Sequence, residues 1–290
     1  MSAKFGPAGN SEAFSKVHKS SLNAPAWIAA QGLDHYEYQC GKGVHIGEDT
    51  ARKLGQKALE AGITLSIHAP YFINLANPDP ESLQKTIGYI RESCLAAHWM
   101  GAERVVIHSG ALMKRSRKEA LEIAKHSLRE VILVCDREGF EDVTLCPETM
   151  GKINQLGDLD EVLELCTLDE RLIPCIDFGH LYARSLGAEN GIEAMVRMLD
   201  RTEEVLGAER ASRFHSHFSH IQFTAKGGEN CHRTFTDDDG YGPDWAPLAC
   251  EVARRGWSPT FICESAGTQA EDAKTMKQIY QAYQKEYTEQ

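Results

Sequence analysis

The sequence has no apolar run approaching about twenty residues, so no segment reads as a membrane-spanning helix. Its opening, MSAKFGPAGN, lacks the apolar stretch of a secretory signal, and on that reading the protein works in the cytoplasm. None of the nine cysteines pairs with another as CxxC. Scattered singly, they read as reduced thiols, most of them core filler, with Cys175 and Cys263 inside apolar runs. No GxGxxG follows the first strand-like segment, which argues against an open dinucleotide-binding sheet. No low-complexity linker or break in composition divides the chain, so residues 1–290 read as one domain. Basic residues are in deficit: 31 Lys and Arg against 42 Asp and Glu give a net charge of −11. That argues against a broad surface that coats nucleic acid, but leaves room for a local basic patch or for cations in an acidic pocket. Hydrophobic residues at 42 % and charged residues at 25 % are ordinary for a chain with a proper core.

What the sequence does contain is a repeated helix and strand. Gly62, Gly101, Gly139 and Gly256 each end a helix-like segment and precede an apolar run. Glycine adopts the left-handed conformation cheaply, so each reads as a helix stop before a strand. Asp79 and Pro80 open one helix running to Ala97, and residues 115–138 and 190–206 carry apolar residues at three- and four-residue spacing. Eight strands follow from the pattern: 4–7, 35–40, 64–68, 104–108, 143–147, 173–177, 215–223 and 260–264. Short apolar strands alternating with helices imply parallel pairing, and eight such units in this length fit a closed (β/α)8 TIM barrel. Residues 224–245 read as the longest irregular stretch, and long loops in compact domains tend to be functional.

In such a barrel the chemistry sits where the strands end. The third strand ends in His68 and the fourth in His108. The fifth gives Glu148 and the sixth Asp177, with His180 close behind. The seventh carries His215, His217 and His220, its following loop Glu229 and His232, and the eighth strand ends in Glu264. Alone, each would read as a solvated or hydrogen-bonded residue, or as a helix cap. Together they converge on one end of the barrel, where clustered carboxylates repel one another and lose solvation. Divalent cations offset that, and imidazoles with carboxylates suit Zn²⁺, Mn²⁺ or Fe. There are too many candidates for one ion, so two or three are expected, an arrangement used to cleave phosphate esters.

Four segments carry a resemblance: HAPYFINL at 68–75, VIHSG at 106–110, ETMG at 148–151 and DFGH at 177–180. They resemble, in order, the endonuclease IV family of apurinic/apyrimidinic endonucleases, which shares its fold with the wider xylose-isomerase-like barrels. The resemblance implies a zinc-dependent hydrolase of DNA base-excision repair that cuts 5′ of abasic sites. It implies His68, His108 and Glu148 on a first zinc, with Glu148 as the bridging, catalytic carboxylate. Asp177, a strand-seven histidine and Glu264 would join Glu148 on a second, and His180 and His232 would hold a third. His217 is the strand-seven choice, because its fifteen residues to His232 match the family spacing and HFS resembles the start of that segment; His220 is the alternative, and His215 fits less well. Where the family has Asp-x-His, this chain has Asn230-Cys231-His232, which marks a divergent member. Either Glu229 supplies the missing carboxylate or the third site is weak.

The resemblance also implies abasic DNA as partner and a monomeric enzyme. Tyr71 and Phe72 would form an apolar wedge, with Pro70 fixing a rigid exit from the strand. Lys42, Arg184 and Lys226 would contact phosphates. A rival reading is a sugar or sugar-acid isomerase or epimerase on a related barrel, using fewer ions with oxygen-rich ligation; a non-catalytic binding barrel comes third.

Overall fold

Strand β2 (His35–Gln39) reads HYEYQ, and successive residues of a strand face opposite sides. Tyr36 therefore packs outward, where its ring is buried beneath helices, while His35 and Glu37 point into the barrel. The computed structural model describes residues 2–289 and arranges eight strands of this kind around one axis. The others are β1 (Lys4–Pro7), β3 (Thr64–His68), β4 (Arg104–His108), β5 (Thr144–Glu148), β6 (Cys175–Asp177), β7 (His215–Phe218) and β10 (Thr260–Cys263). They pair in parallel in the order β1-β10-β7-β6-β5-β4-β3-β2.

The seam between β1 and β2 is narrow. It is closed by a parallel bridge from Ala8 to Glu37 and by the Asp34 amide donating to the Phe5 carbonyl at 2.9 Å. Gly6 makes that approach possible: a Cβ there would lie 1.9 Å from the carbonyl oxygen of His35.

Helices cover the outside, among them Glu48–Ala61, Pro80–Met100, Arg117–Glu138, Gly191–Leu206, Trp245–Arg255 and Gln269–Thr288. Gly62, Gly101, Gly139 and Gly256 take φ of +70°, +66°, +77° and +66°, so each is the left-handed stop its position predicts. Ser116 with Glu119, and Asp158 with Glu161, form capping boxes that satisfy free amides at two helix starts. The main core lies between barrel and helices, with Phe5, Tyr36, Ile67, Phe178, Phe214 and Phe261 fully buried. The barrel interior differs. Val106, Cys146, Ile173 and Cys175 form a small separate apolar cluster there, and imidazoles and carboxylates occupy much of the rest.

One expected strand is two. Residues 215–223 break at Ser219: β7 stays in the barrel, while β8 (His220–Thr224) pairs antiparallel with β9 (Gly228–Arg233) as a hairpin above it. The strand-like alternation runs through the break, so the pattern shows strand character but not the change of partner. It follows that 224–245 is not wholly irregular, since β9 lies within it. Strand six is shorter than expected, beginning at Cys175 rather than 173, and strand five ends one residue later, on Glu148 itself. Among the described residues no helix is long and apolar enough to cross a membrane.

Replacing Gly6 with alanine is expected to force β1 away from β2 and to destabilise the fold by about 1–3 kcal/mol or more. Urea unfolding measures this; an unchanged midpoint would mean the seam adjusts freely.

Candidate metal centre

Four of the histidines arrive with one ring nitrogen already tied back. The Nδ1 atoms of His68 and His108 lie 2.7 Å from the backbone carbonyls of Ala69 and Tyr71. A carbonyl can only accept, so both Nδ1 atoms carry hydrogen and both Nε2 atoms face inward, 3.3 and 3.4 Å from Glu148 Oε2. His180 follows the same plan: Nδ1 sits 2.8 Å from the Thr149 carbonyl and Nε2 3.6 Å from Glu229 Oε2. His232 rests its Nδ1 on Ser219 Oγ at 2.8 Å, with Nε2 4.0 Å from Glu264 Oε2. His217 is turned the other way. Its Nδ1 lies 2.9 Å from Glu148 Oε1 and 3.5 Å from Glu264 Oε1, while its Nε2 lies 2.9 Å from Glu37 Oε1.

These groups form three sets at the barrel mouth, each with its ligand atoms within 4.8 Å of one another, and a fourth, Cys175, His215 and His217, lies deeper. His68, Glu148 and His217 make the first, with His108 beside it. Glu148, Asp177, His217 and Glu264 make the second, and His180, Glu229 and His232 the third. The sets suit divalent cations. Two donors about 2.1 Å from one tetrahedral zinc stand about 3.4 Å apart, close to the spacings seen here. Asp177 gives a second argument. Its Oδ1 caps the helix Phe178–Arg184 by accepting from the His180 amide at 2.8 Å, but its fully buried Oδ2 has no hydrogen-bond partner. An orphaned carboxylate oxygen beside Glu148, Glu264 and His217 is what a cation would satisfy.

Proton distribution fits the same picture. Burial opposes charge on His68, but its hydrogen bond to Glu148 and the charges of Glu148 and Glu37 together raise it to about 8. Burial also opposes charge on His180; Asp177, Glu229, Glu148 and Glu264 together raise it to about 9. His108 falls to about 4, chiefly through burial, despite Glu148. Glu148 stays well below the usual carboxylate range although burial opposes this, because His217, His68 and His108 surround it. Without ions, imidazolium protons offset the buried carboxylates, and a divalent cation would take their place.

Glu229 owes its position to a bulge. In the β8–β9 hairpin Gln222 pairs with Cys231 and Phe223 with Glu229, leaving Asn230 unpaired and exposed. The extra residue puts Glu229 and His232 on the same face, although three residues apart they would otherwise alternate. The structure thus brings Glu229, not Asn230, to His180 and His232. Gly151 leaves the space, since a Cβ there would come within 2.8 Å of Glu229 Oε2 and of the His180 ring.

The remaining candidates lie apart from the three sets. His220 stacks on Phe235 with ring centres 4.8 Å apart and joins none of them. The Arg184 guanidinium donates to the carbonyls of Met150, Lys152 and Gln155, so it ties the loop after β5 together rather than projecting outward. Lys42 and Lys226 are exposed. Tyr71 and Phe72 are 50 % and 42 % exposed; Tyr71 lines a cavity of about 320 Å³, while Phe72 sits edge-on to Tyr89. Sequence reading missed Glu37, which is fully buried beneath His217. The available cue was a lone acidic residue between two tyrosines in a strand.

A family model described as a xylose isomerase-like TIM barrel matches residues 25–284. An uncharacterized protein of Methanocaldococcus jannaschii is 34 % identical over 233 residues, 80 % of this chain and 82 % of that protein. A protein of Acholeplasma laidlawii named as a probable endonuclease 4 is 27 % identical over 149 residues, 49 % of this chain and 50 % of that one, so the match spans about half the relative's length. Among solved structures, a D-tagatose 3-epimerase-like protein superposes with a TM-score of 0.70 at 17 % identity, covering 99 % of this chain and 98 % of that one. Endonuclease IV from Thermus thermophilus superposes with a TM-score of 0.65 at 17 % identity, covering 98 % and 99 %. At such identities both structures show the fold alone.

Two outcomes follow from this geometry. His68 and His180 titrate above the unfolded value of 6.5, so their stabilisation of the ion-free protein is complete below pH 6.5 and is lost as pH rises through about 8 and about 9. The melting temperature of chelator-treated protein should therefore fall between pH 6.5 and 9, while zinc affinity rises over the same window; a flat melting profile would contradict the extra protons. Separately, Glu229→Gln should lower zinc content by about one ion per chain, the third set's share. Asn230→Asp should leave it unchanged, and elemental analysis of both variants checks the pair.

Proposed function

The chain belongs to the xylose isomerase-like TIM barrel family, and from that premise we propose that it is a metal-dependent phosphodiesterase that cleaves DNA 5′ of abasic sites. The observation that carries the reading is the histidine-rich part of the centre. His68, His108, His180 and His232 each present Nε2 to the cavity, beyond what the carboxylate-rich set beneath them needs for one ion. The probable endonuclease 4 relatives support it, although they match over only part of their length.

In this reading the centre holds two to three Zn²⁺, with Mn²⁺ or Fe as alternatives at one position. Such ions supply Lewis acidity toward phosphate oxygens and lower the pKa of water. The chain's own residues do the placing. Glu148 offers Oε2 toward His68 and His108 and Oε1 toward His217, so one carboxylate joins the first two sets. Tyr71 and Phe72 give the rim an apolar face against which an unstacked nucleotide can rest. Lys42 and Lys226, exposed on neighbouring loops, offset backbone phosphates without reading sequence. The proposed enzyme is a cytoplasmic, monomeric, one-domain protein of DNA base-excision repair.

One observation favours a second reading. Glu148, Asp177, His217 and Glu264 are by themselves three carboxylates and one imidazole, a set suited to a single Mn²⁺ and to isomerisation or epimerisation of a sugar or sugar acid.

The deciding experiment combines elemental analysis of the purified protein with incubation on an oligonucleotide carrying one abasic site. Two to three ions per chain and a nick on the 5′ side are expected. Glu148→Ala is expected to lose at least one ion and to reduce nicking to background. A single ion, an intact oligonucleotide and turnover of a ketohexose would establish the second reading in its place.

A further inference from the structure

Beneath the ion sets, the barrel interior holds a chain of hydrogen bonds with a fixed direction. It begins at Arg104, the first residue of β4, whose guanidinium reaches the Phe214 carbonyl and, at 3.4 Å, Nδ1 of His215. Arginine can only donate, so this Nδ1 accepts and the hydrogen of His215 sits on Nε2. That Nε2 lies 2.9 Å from Glu37 Oε2, which also accepts from Ser66 Oγ at 2.8 Å. His35 Nε2 stands 2.8 Å behind Ser66. The other oxygen of Glu37 accepts from Gln39 Nε2 at 3.0 Å and stands 2.9 Å from His217 Nε2, an ion-pair contact off the hydrogen-bond line. This buried Nε2 therefore has no hydrogen-bond partner among the described residues, and Glu37 is the carboxylate beside it. Glu37, His215 and His217 are all fully buried, so none has water as an alternative partner.

We propose that Glu37 is a positioning residue that holds His217 with hydrogen on Nε2 and the Nδ1 lone pair directed into the ion cluster. The inference rests on the metal-centre reading above and extends it to a residue that touches no ion. The other four histidines take their orientation from a backbone carbonyl or a serine hydroxyl and present Nε2. His217 alone presents Nδ1, and it alone has no carbonyl or hydroxyl at its far nitrogen, only a carboxylate; His180 Nδ1 also stands 3.3 Å from Asp177 Oδ2 but is held by the Thr149 carbonyl. A carboxylate behind a metal-bound imidazole fixes the ring and strengthens it as a ligand. The two donors on Oε2, His215 and Ser66, keep that position an acceptor. Gln39 also donates to Oε1 but can turn its amide about, whereas His215 is held by Arg104, so in a Glu37→Gln variant the amide oxygen stays with His215 and Ser66 and the NH₂ turns to His217. His217 Nε2 must then accept, and its hydrogen moves to Nδ1, the atom that should bind the ion.

The test compares wild type, Glu37→Gln and Glu37→Asp by zinc competition against a chelator and by the visible spectrum of the Co²⁺-loaded protein. Glu37→Gln is expected to weaken the tightest site that uses His217 by about 10- to 100-fold and to alter the cobalt spectrum, with Glu37→Asp recovering part of both. The melting temperature of chelated protein separates this from a general loss of stability, since a merely structural role would lower it without changing affinity. If the variants do not fold, ¹⁵N-histidine spectra of zinc-loaded wild type decide. One imidazole bound through Nδ1 with hydrogen on Nε2 is expected, the other bound imidazoles being coordinated through Nε2. Wild-type affinity in Glu37→Gln, or Nε2 coordination throughout, would overturn the inference while leaving the metal centre standing. A wild type that takes up no ion would overturn the metal centre as well.

Discussion

Three carboxylates, Glu148, Asp177 and Glu264, share one mouth of the barrel, two of them fully out of water. In a medium of low polarity that arrangement is unstable unless positive charge stands among them. The surrounding features answer this demand. Five imidazoles face the carboxylates, and His68 and His180 are raised far enough to carry protons when nothing else is bound. Backbone carbonyls hold the rings of His68, His108 and His180 by the far nitrogen, so neutrality and geometry are set by the same contacts. The parallel barrel makes this tolerable, because its strands end together and the rest of the fold is stabilised elsewhere, in the apolar shell under the helices.

Much of this could be read from the sequence, for identifiable reasons. The barrel was legible because glycine stops and apolar runs are local signals, and the four stops at Gly62, Gly101, Gly139 and Gly256 carry the left-handed φ expected of them. The strand-end residues were legible because their types are unusual in that position and because the motifs around them are specific. The hairpin was not: β8 continues the alternation of β7, and only pairing, a non-local property, separates them. The exchange of Glu229 for Asn230 was open in the sequence, because a bulge changes which residues share a face and leaves no clear mark in composition. Glu37 was hidden for a different reason. An acidic residue in a short strand resembles a solvated edge until the partner strands are known to close around it.

The resemblance to both nuclease and epimerase folds has a simple physical form here. The set of Glu148, Asp177, His217 and Glu264 stands on β5, β6, β7 and the end of β10, all in the barrel wall. A minimal centre on this scaffold needs no more than that. His68, His108, His180, Glu229 and His232 are additions around it, and they move the site from oxygen-rich toward nitrogen-rich ligation. In this chain the nitrogen-rich part of the candidate centre is therefore separable from the carboxylate-rich set on the barrel wall, with the fold common to both.

The hairpin carries the last part of that surround. It is fastened to the loop after β5 by a bridge between Lys152 and Gly228 and by the Glu229 amide on the Gly151 carbonyl, and it lies outside the barrel sheet. Two members of the third set, Glu229 and His232, ride on it, whereas His180 sits on the helix Phe178–Arg184 directly after β6. The centre is thus modular. Its inner sets stand on the ends of barrel strands, while two of the three groups of the outer one stand on a hairpin that takes no part in the barrel sheet. Movement of the hairpin would shift Glu229 and His232 together and leave Glu148, Asp177 and His217 in place.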